Sequence, residues 1–96
     1  MADFYHIMVD IPGAMPDDVE VRREMDKALS WYRYRRNCWV GHTTSDAKKW
    51  AERLGPLVGR RKGRLFVAKL DIRDRQGLMS MKFWDWLNEH ESGTRQ

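Results

Sequence analysis

Asp10 and His6 are the residues of the first apolar segment whose chemistry suits a catalytic site. Residues 4–11 read Phe-Tyr-His-Ile-Met-Val-Asp-Ile, a composition typical of a β-strand. Because side chains alternate along a strand, Asp10 and His6 are expected on the same face. Mg²⁺ prefers oxygen ligands and commonly uses one or two carboxylates, so Asp10 is a candidate metal ligand. His6 is a candidate general base.

Both residues also have a purely structural interpretation. A strand-end acid such as Asp10 can cap the following loop or pair with a basic group. His6 can be a core or interface histidine with satisfied hydrogen bonds. The other acid that follows a clear apolar strand is Asp71. Two Asp10 carboxylates would meet at one metal only in a dimer.

The positive charge is concentrated in the middle of the chain. Lys and Arg number 18 and Asp and Glu 14, a net charge of +4. Residues 1–30 hold 3 basic and 7 acidic residues, a net charge of −4, whereas residues 31–75 hold 13 and 4, a net charge of +9. This middle segment predicts phosphate contacts, although an ordinary solvated surface has the same composition. The candidate nucleic-acid-binding residues are Arg33, Arg35, Arg36, Arg60, Arg61, Lys62 and Arg64.

Alternating strand and helix patterns must position these residues. After the first strand, apolar residues at helical spacing predict a helix from about Asp17 to Tyr32. Residues 34–37 and 38–42 favour one bent strand or two short strands. A second helix starts at a Thr44 or Ser45 cap and frays or ends where Gly55 and Pro56 occur, at residues 55–58. A strand over residues 65–72, apolar enough to be central, and a helix over residues 79–89 follow.

This order predicts a ferredoxin-like βαββαβ sandwich of the α+β class with a short C-terminal helix. Both main helices are expected to cover one face of the sheet, which leaves Phe4, His6, Met8 and Asp10 on an open face. An open face with Phe4 and Met8 suits a monomer poorly, so we expect a homodimer that packs these faces together. The domain is expected over residues 1–90, with a flexible tail over residues 91–96.

Three segments carry a resemblance to a known family. They are the strand that ends in Asp10, the stretch from Lys27 through Trp39-Val40 to Thr43-Thr44-Ser45, and the stretch Gly63–Leu70. With these, the chain resembles the small ferredoxin-like family of the second CRISPR-associated adaptation protein. It looks closest to the SinR-like and virulence-associated-protein-D relatives. The resemblance covers residues 4–72.

The resemblance implies a bacterial homodimer with facing sheets. Some members are metal-dependent nucleases in which the acid that ends the first strand binds the metal, a role that would fall on Asp10. Other members hold DNA without cutting it. In this chain the loop over residues 11–16 is longer and more apolar than usual, and residues 83–87 look helical where many members have an extra strand. We therefore expect a non-catalytic module that binds nucleic acid or protein, with a Mg²⁺-dependent nuclease as the alternative.

Size and composition limit the remaining classes. Ninety-six residues favour one domain, and 42% hydrophobic residues suffice for a packed core. The single cysteine, Cys38, excludes an intramolecular disulfide and favours a reducing compartment. No apolar run approaches a membrane span and the N-terminal sequence does not read as a signal peptide, so the expected location is the cytoplasm.

Overall fold

Four strands form one antiparallel sheet. They are β1 (Asp3–Asp10), β2 (Ser30–Arg35), β3 (Cys38–Thr43) and β4 (Arg64–Leu70), in the order β2-β3-β1-β4. Three helices accompany them, α1 (Val19–Met25), α2 (Ala47–Arg60) and α3 (Met81–Thr94). This computed structural model describes residues 1–13 and 18–94. The chain is therefore a mixed α+β domain, as its pattern predicts.

One face of the sheet carries the larger core. Tyr5, Ile7, Val9 and Ile11 of β1 and the segment after it point to this face, as the alternation predicts, and all four are buried. α1 and α2 cover them with six buried side chains: Val21, Met25, Trp50, Leu54, Leu57 and Val58. The prediction that both helices share one face is confirmed.

The opposite face is not fully open, and on this point the expectation is wrong. Phe4 is only 2% exposed because α3 lies against it, with Phe83 and Leu87 in the same cluster as Val40. The indole Nε1 of Trp86 also donates a 2.8 Å hydrogen bond to Ser30 Oγ. α3 thus covers one end of this face from within the chain. Met8 is half-buried and Phe66 is 58% exposed on the remaining part.

α1 and β2 divide the segment that the sequence predicts as one long helix. The described helix runs from Val19 to Met25, and the Asp18 side chain accepts a 3.1 Å hydrogen bond from the Val21 N–H. The predicted start at Asp17 lies outside the described residues. A turn after Met25 buries Ala28, and β2 begins at Ser30. Met25 and Ala28 are three residues apart and both buried, a spacing that occurs in a helix and also in this turn. Spacing alone therefore did not locate the end of the helix.

Several other boundaries differ from their predictions. Asp46, not Thr44 or Ser45, caps α2 by accepting a 2.8 Å bond from the Lys49 N–H. α2 continues through Pro56 to Arg60, because its buried residues on both sides of the proline pack on the sheet. β4 ends at Leu70 and lies at the edge of the sheet, whereas β3 is central.

The last helix of the chain, α3, is longer than its predicted counterpart. α3 extends to Thr94, past the predicted end at residue 89, and residues 95–96 of the predicted tail lie outside the described residues. Within the described ranges no helix is long and apolar enough to cross a bilayer.

Candidate nucleic-acid interface

Asp10 lies at the end of β1, opposite Arg64 of β4. Its side chain is half-buried. Asp71 follows β4, which runs antiparallel to β1 and pairs Leu70 with Phe4, so it lies at the other end of the sheet. Among the described residues, no group of three or more His, Cys, Asp and Glu side chains could hold a metal ion. Within the described part of the chain, Asp10 is therefore a single strand-end carboxylate at this end of the sheet. A second strand-end carboxylate would have to come from another copy.

His6 lies four positions before Asp10 in β1, roughly 13 Å away at strand spacing. Its Nε2 lies 2.6 Å from the hydroxyl of Tyr34. Burial lowers the pKa of His6, which favours the neutral imidazole. A neutral Nε2 accepts a hydrogen bond from the Tyr34 O–H. His6 is thus a hydrogen-bonded residue of the sheet face, and the structure does not bring it to Asp10.

Tyr34 reaches His6 across an intervening strand. The register between β2 and β3 shifts between Arg33, which pairs with Trp39, and Arg35, which pairs with Cys38. Tyr34 is the extra residue of this bulge, and bulges redirect side chains. Burial, followed by a hydrogen bond with Cys38, raises the pKa of Tyr34. The phenol therefore stays protonated and donates at neutral pH.

Arg60 and Arg61, two of the predicted phosphate ligands, already form ion pairs within the chain. Arg61 Nη1 lies 2.6 Å from Asp18 Oδ2, and Arg60 Nη2 lies 2.9 Å from Glu20 Oε2. Burial alone would raise the pKa of Asp18, but the hydrogen bonds from Val21 and Arg61 outweigh it and lower that pKa. The acidic start of α1 therefore neutralises the end of α2.

Arg33 is also engaged, on the helix-covered face. Its guanidinium carbon lies 4.5 Å from the centre of the Trp39 ring, a cation–π geometry. Its Nε donates a 2.9 Å hydrogen bond to the main-chain carbonyl of Arg36, which Nη2 also contacts. These contacts hold the Arg33 side chain against the β2–β3 hairpin.

Five of the seven predicted cations are exposed, and Arg60 is the one of these five that pairs with Glu20. The sheet brings the other four to one end. Arg35 and Arg36 lie at the β2–β3 hairpin, where the Val9 N–H donates a 2.9 Å bond to the Asn37 carbonyl. Lys62 and Arg64 lie at the α2–β4 turn, on the other side of β1. Two strand spacings separate β3 from β4 and three separate β2 from β4, so these segments lie about 10 to 14 Å apart. We call this set the basic rim: Arg35, Arg36, Lys62 and Arg64.

A tight helix end positions one half of the basic rim. The N–H groups of Lys62 and Gly63 bond to the carbonyls of Gly59 and Val58, the pattern of a Schellman motif. Lys62 takes the left-handed conformation with φ of 58°. A Cβ on Gly63 would lie 2.4 Å from the Asp10 carbonyl oxygen, so only glycine permits this approach of β4 to β1.

No family model, curated protein or solved structure matches this chain. The family resemblance therefore stays a prediction.

The ion pairs and the Tyr34–His6 bond are the parts of the site that sequence reasoning missed. The opposite charges of residues 1–30 and 31–75 were a usable signal for the ion pairs, because segregated charges attract. No comparable pattern signals the Tyr34–His6 bond, since it depends on a one-residue register shift between β2 and β3.

Proposed function

We propose that this chain is a ferredoxin-like module that binds a nucleic-acid backbone at the basic rim and does not cut it. The fold part of this proposal is supported by the order β4-β1-β3-β2, in which all neighbours are antiparallel. Two helices on one face are also what a βαββαβ sandwich would place there. The resemblance to CRISPR-associated adaptation and SinR-like proteins is consistent with this assignment.

The observation that carries the binding proposal is the convergence of two separate basic segments at one end of the sheet. The hairpin supplies Arg35 and Arg36, and the α2–β4 turn supplies Lys62 and Arg64. Ion pairs with α1 occupy Arg60 and Arg61 but leave this set at the surface. Cations arranged in this way neutralise backbone phosphates, and their contribution depends strongly on salt.

The non-catalytic part rests on the surroundings of Asp10. Its β4 neighbour is the cation Arg64, and Asp71 is at the far end of the sheet. A nuclease that uses metal ions needs ligands that hold the ion and a water to activate. Asp10 is a single carboxylate next to a cation, and this arrangement suits a residue that orients the neighbouring cation. The alternative, a Mg²⁺-dependent nuclease, would need Asp10 from a second copy in the same site.

Binding is tested with fluorescently labelled single-stranded and duplex DNA and RNA, titrated between about 50 mM and 200 mM salt. The test variant is Arg35→Gln with Arg64→Gln, one cation from each segment. The matched control is Lys48→Gln with Lys49→Gln, the same charge loss at the start of α2. A 14-residue helix places the control site roughly 20 Å away.

We expect the test variant to bind all sequences at least about tenfold more weakly and its salt slope to fall by about two. The control variant should bind like the wild type. Equal weakening by both variants would reduce the effect to net charge, and absence of binding to any probe would leave a protein partner as the remaining role. Cutting of a probe with Mg²⁺ that Asp10→Asn abolishes would replace the proposal with the nuclease.

A further inference from the structure

β4 is a regular edge strand whose outer main-chain groups face away from the sheet. The Val9 N–H bonds to Asn37 near β3, so odd-numbered residues of β1 face β3 and even-numbered residues face β4. The even-numbered residues of β1 pair with the even-numbered residues of β4, so the main-chain groups of those β4 residues bond to β1. The N–H and C=O groups of Leu65, Val67 and Lys69 therefore point outward. Among the described residues, no main-chain bond outside the sheet ladders reaches them.

We propose that β4 pairs antiparallel with β4 of a second copy, with Val67 on the twofold axis. This register overlaps all seven residues of the strand, and it pairs outward-facing residues with outward-facing residues. Leu65 then lies opposite Lys69, Arg64 opposite Leu70, and Val67 opposite its own copy. No two like charges face each other, which is the condition for stable cross-strand pairing.

The exposed Phe66 fits this register. It is 58% exposed in the single chain. In the proposed pairing it lies opposite Ala68 of the second copy, and the small alanine leaves room for the ring. A large exposed apolar residue beside an open strand edge is a feature that proteins otherwise avoid. Pairing of the two β4 strands would cover the Phe66 ring and the open strand edge together.

The surface of α2 above this edge is compatible with a second copy. On one side of α2, Arg53, Pro56 and Arg60 line a cleft against α1. Small residues follow each other at four-residue spacing on the other side, beyond β4: Ala51, Gly55 and Gly59. A Cβ on Gly55 or Gly59 would meet nothing within 4 Å. Two α2 helices can therefore approach closely across the twofold axis.

This interface goes beyond the proposed nucleic-acid binding and does not depend on it. It also differs from the facing-sheet dimer that the sequence predicts, because α3 already covers Phe4 on that face. The result is one continuous sheet of two copies.

Two substitutions at position 69 distinguish the contribution of the main-chain N–H to dimerisation from that of the side chain. Lys69→Pro removes an outward N–H, which an edge strand tolerates, while Lys69→Ala loses the same ammonium group but keeps the N–H. Sedimentation velocity over micromolar to submillimolar concentrations measures the dimer. We expect wild type and Lys69→Ala to dimerise alike and Lys69→Pro to dimerise at least about tenfold more weakly, with an unchanged circular dichroism spectrum.

A crosslinking pair tests the register even if the proline variant does not fold. In a Cys38→Ala background, Val67→Cys places two thiols across the axis at a spacing that a disulfide can bridge. Lys69→Cys is the control, because its two copies would lie roughly 13 Å apart. We expect rapid oxidation to a dimer for Val67→Cys alone. A monomeric wild type, an unweakened Lys69→Pro dimer, or equal crosslinking at both positions would overturn the proposal.

Discussion

The hydroxyl of Tyr34 lies 2.6 Å from Nε2 of His6, although β2 and β1 are not neighbours in the sheet. The side chain of Tyr34 passes over β3. The centre of its ring lies 6.3 Å from the centre of the Phe83 ring of α3, in an edge-to-face arrangement. This contact joins three strands and a helix on the less covered face. It gives the sheet end a fixed polar contact beside the partly open region around Met8.

Tyr34→Phe should destabilise the fold by about 1 kcal/mol, the usual net value of one neutral hydrogen bond. The phenyl ring keeps the packing, and only the O–H is lost. Urea unfolding measures the change. Tyr32→Phe is the control, because its hydroxyl makes an exposed 3.3 Å contact with Ser80 and should cost under about 0.5 kcal/mol. Equal costs for both would show that the partly buried Tyr34–His6 bond contributes no more than an exposed contact.

The stability of the fold should fall as the pH drops through about 6.5. Burial lowers the pKa of His6, and burial together with the nearby His90 lowers the pKa of His42. The unfolded chain therefore binds more protons than the native one just below pH 6.5, the ordinary pKa of a histidine side chain. Stability is fully present above that pH, decreases below it, and levels off once the native histidines are protonated.

His6→Gln provides the matched comparison for this pH dependence. It removes one of the two titrations and leaves that of His42, so the loss of unfolding free energy between pH 7.5 and 5.5 should become smaller. Thermal or urea unfolding at each pH measures it. An identical pH profile in the variant would mean that His6 has an ordinary pKa in the native state.

The sequence pattern predicted the elements better than their contacts. The alternation of residues 4–11 placed Ile7 and Val9 toward the helices, and the structure has both buried there. Side-chain period identifies which face is apolar, so this part follows directly. The same period shows that Phe83 and Leu87 are on one side of a helix, but it cannot tell which surface they cover. The docking of α3 onto Phe4 was therefore missed, and with it the closed end of that face.

The candidate site was predicted in composition but not in arrangement. The basic residues were identified, yet their positions in the sheet depend on long-range pairing between β1, β3 and β4. That pairing puts Asp10 and Asp71 at opposite ends of the sheet and Arg35 and Arg64 at the same end. The engagement of Arg61 by Asp18 likewise depends on α1 lying beside the end of α2, which residue types alone do not specify.

The ion pair between Asp18 and Arg61 should contribute measurably to stability. Its N–O distance is 2.6 Å and its side chains are 14% and 28% exposed, so solvent screens it less than a surface pair. Asp18→Asn keeps an N-cap acceptor but removes the charge, and should cost about 1 kcal/mol. Asp18→Ala also loses the cap and should cost about 2 kcal/mol.

A double-mutant cycle with Arg61→Gln isolates the pair itself. The coupling energy from urea unfolding should exceed about 0.5 kcal/mol. The exposed pair of Arg60 and Glu20 is the comparison and should couple by less. Coupling near zero for Asp18 and Arg61 would mean that the charge neutralisation between α1 and α2 is not energetically significant.

The turn between α2 and β4 should respond in opposite directions to two adjacent substitutions. Lys62 has a positive φ of 58°, a conformation that costs a residue with a Cβ roughly 1 kcal/mol. Lys62→Gly should therefore stabilise the fold by up to about 1 kcal/mol, even though the unfolded chain gains some freedom.

Gly63→Ala should destabilise the fold by about 2 kcal/mol or more, because its Cβ would lie 2.4 Å from the Asp10 carbonyl oxygen. Main chain, and not a flexible side chain, occupies that space, so β4 must shift away from the end of β1. Urea unfolding of both variants tests whether the free energy of unfolding rises for Lys62→Gly and falls for Gly63→Ala. A neutral Gly63→Ala would show that the ends of β1 and β4 separate easily, and the basic rim would then lack a rigid support.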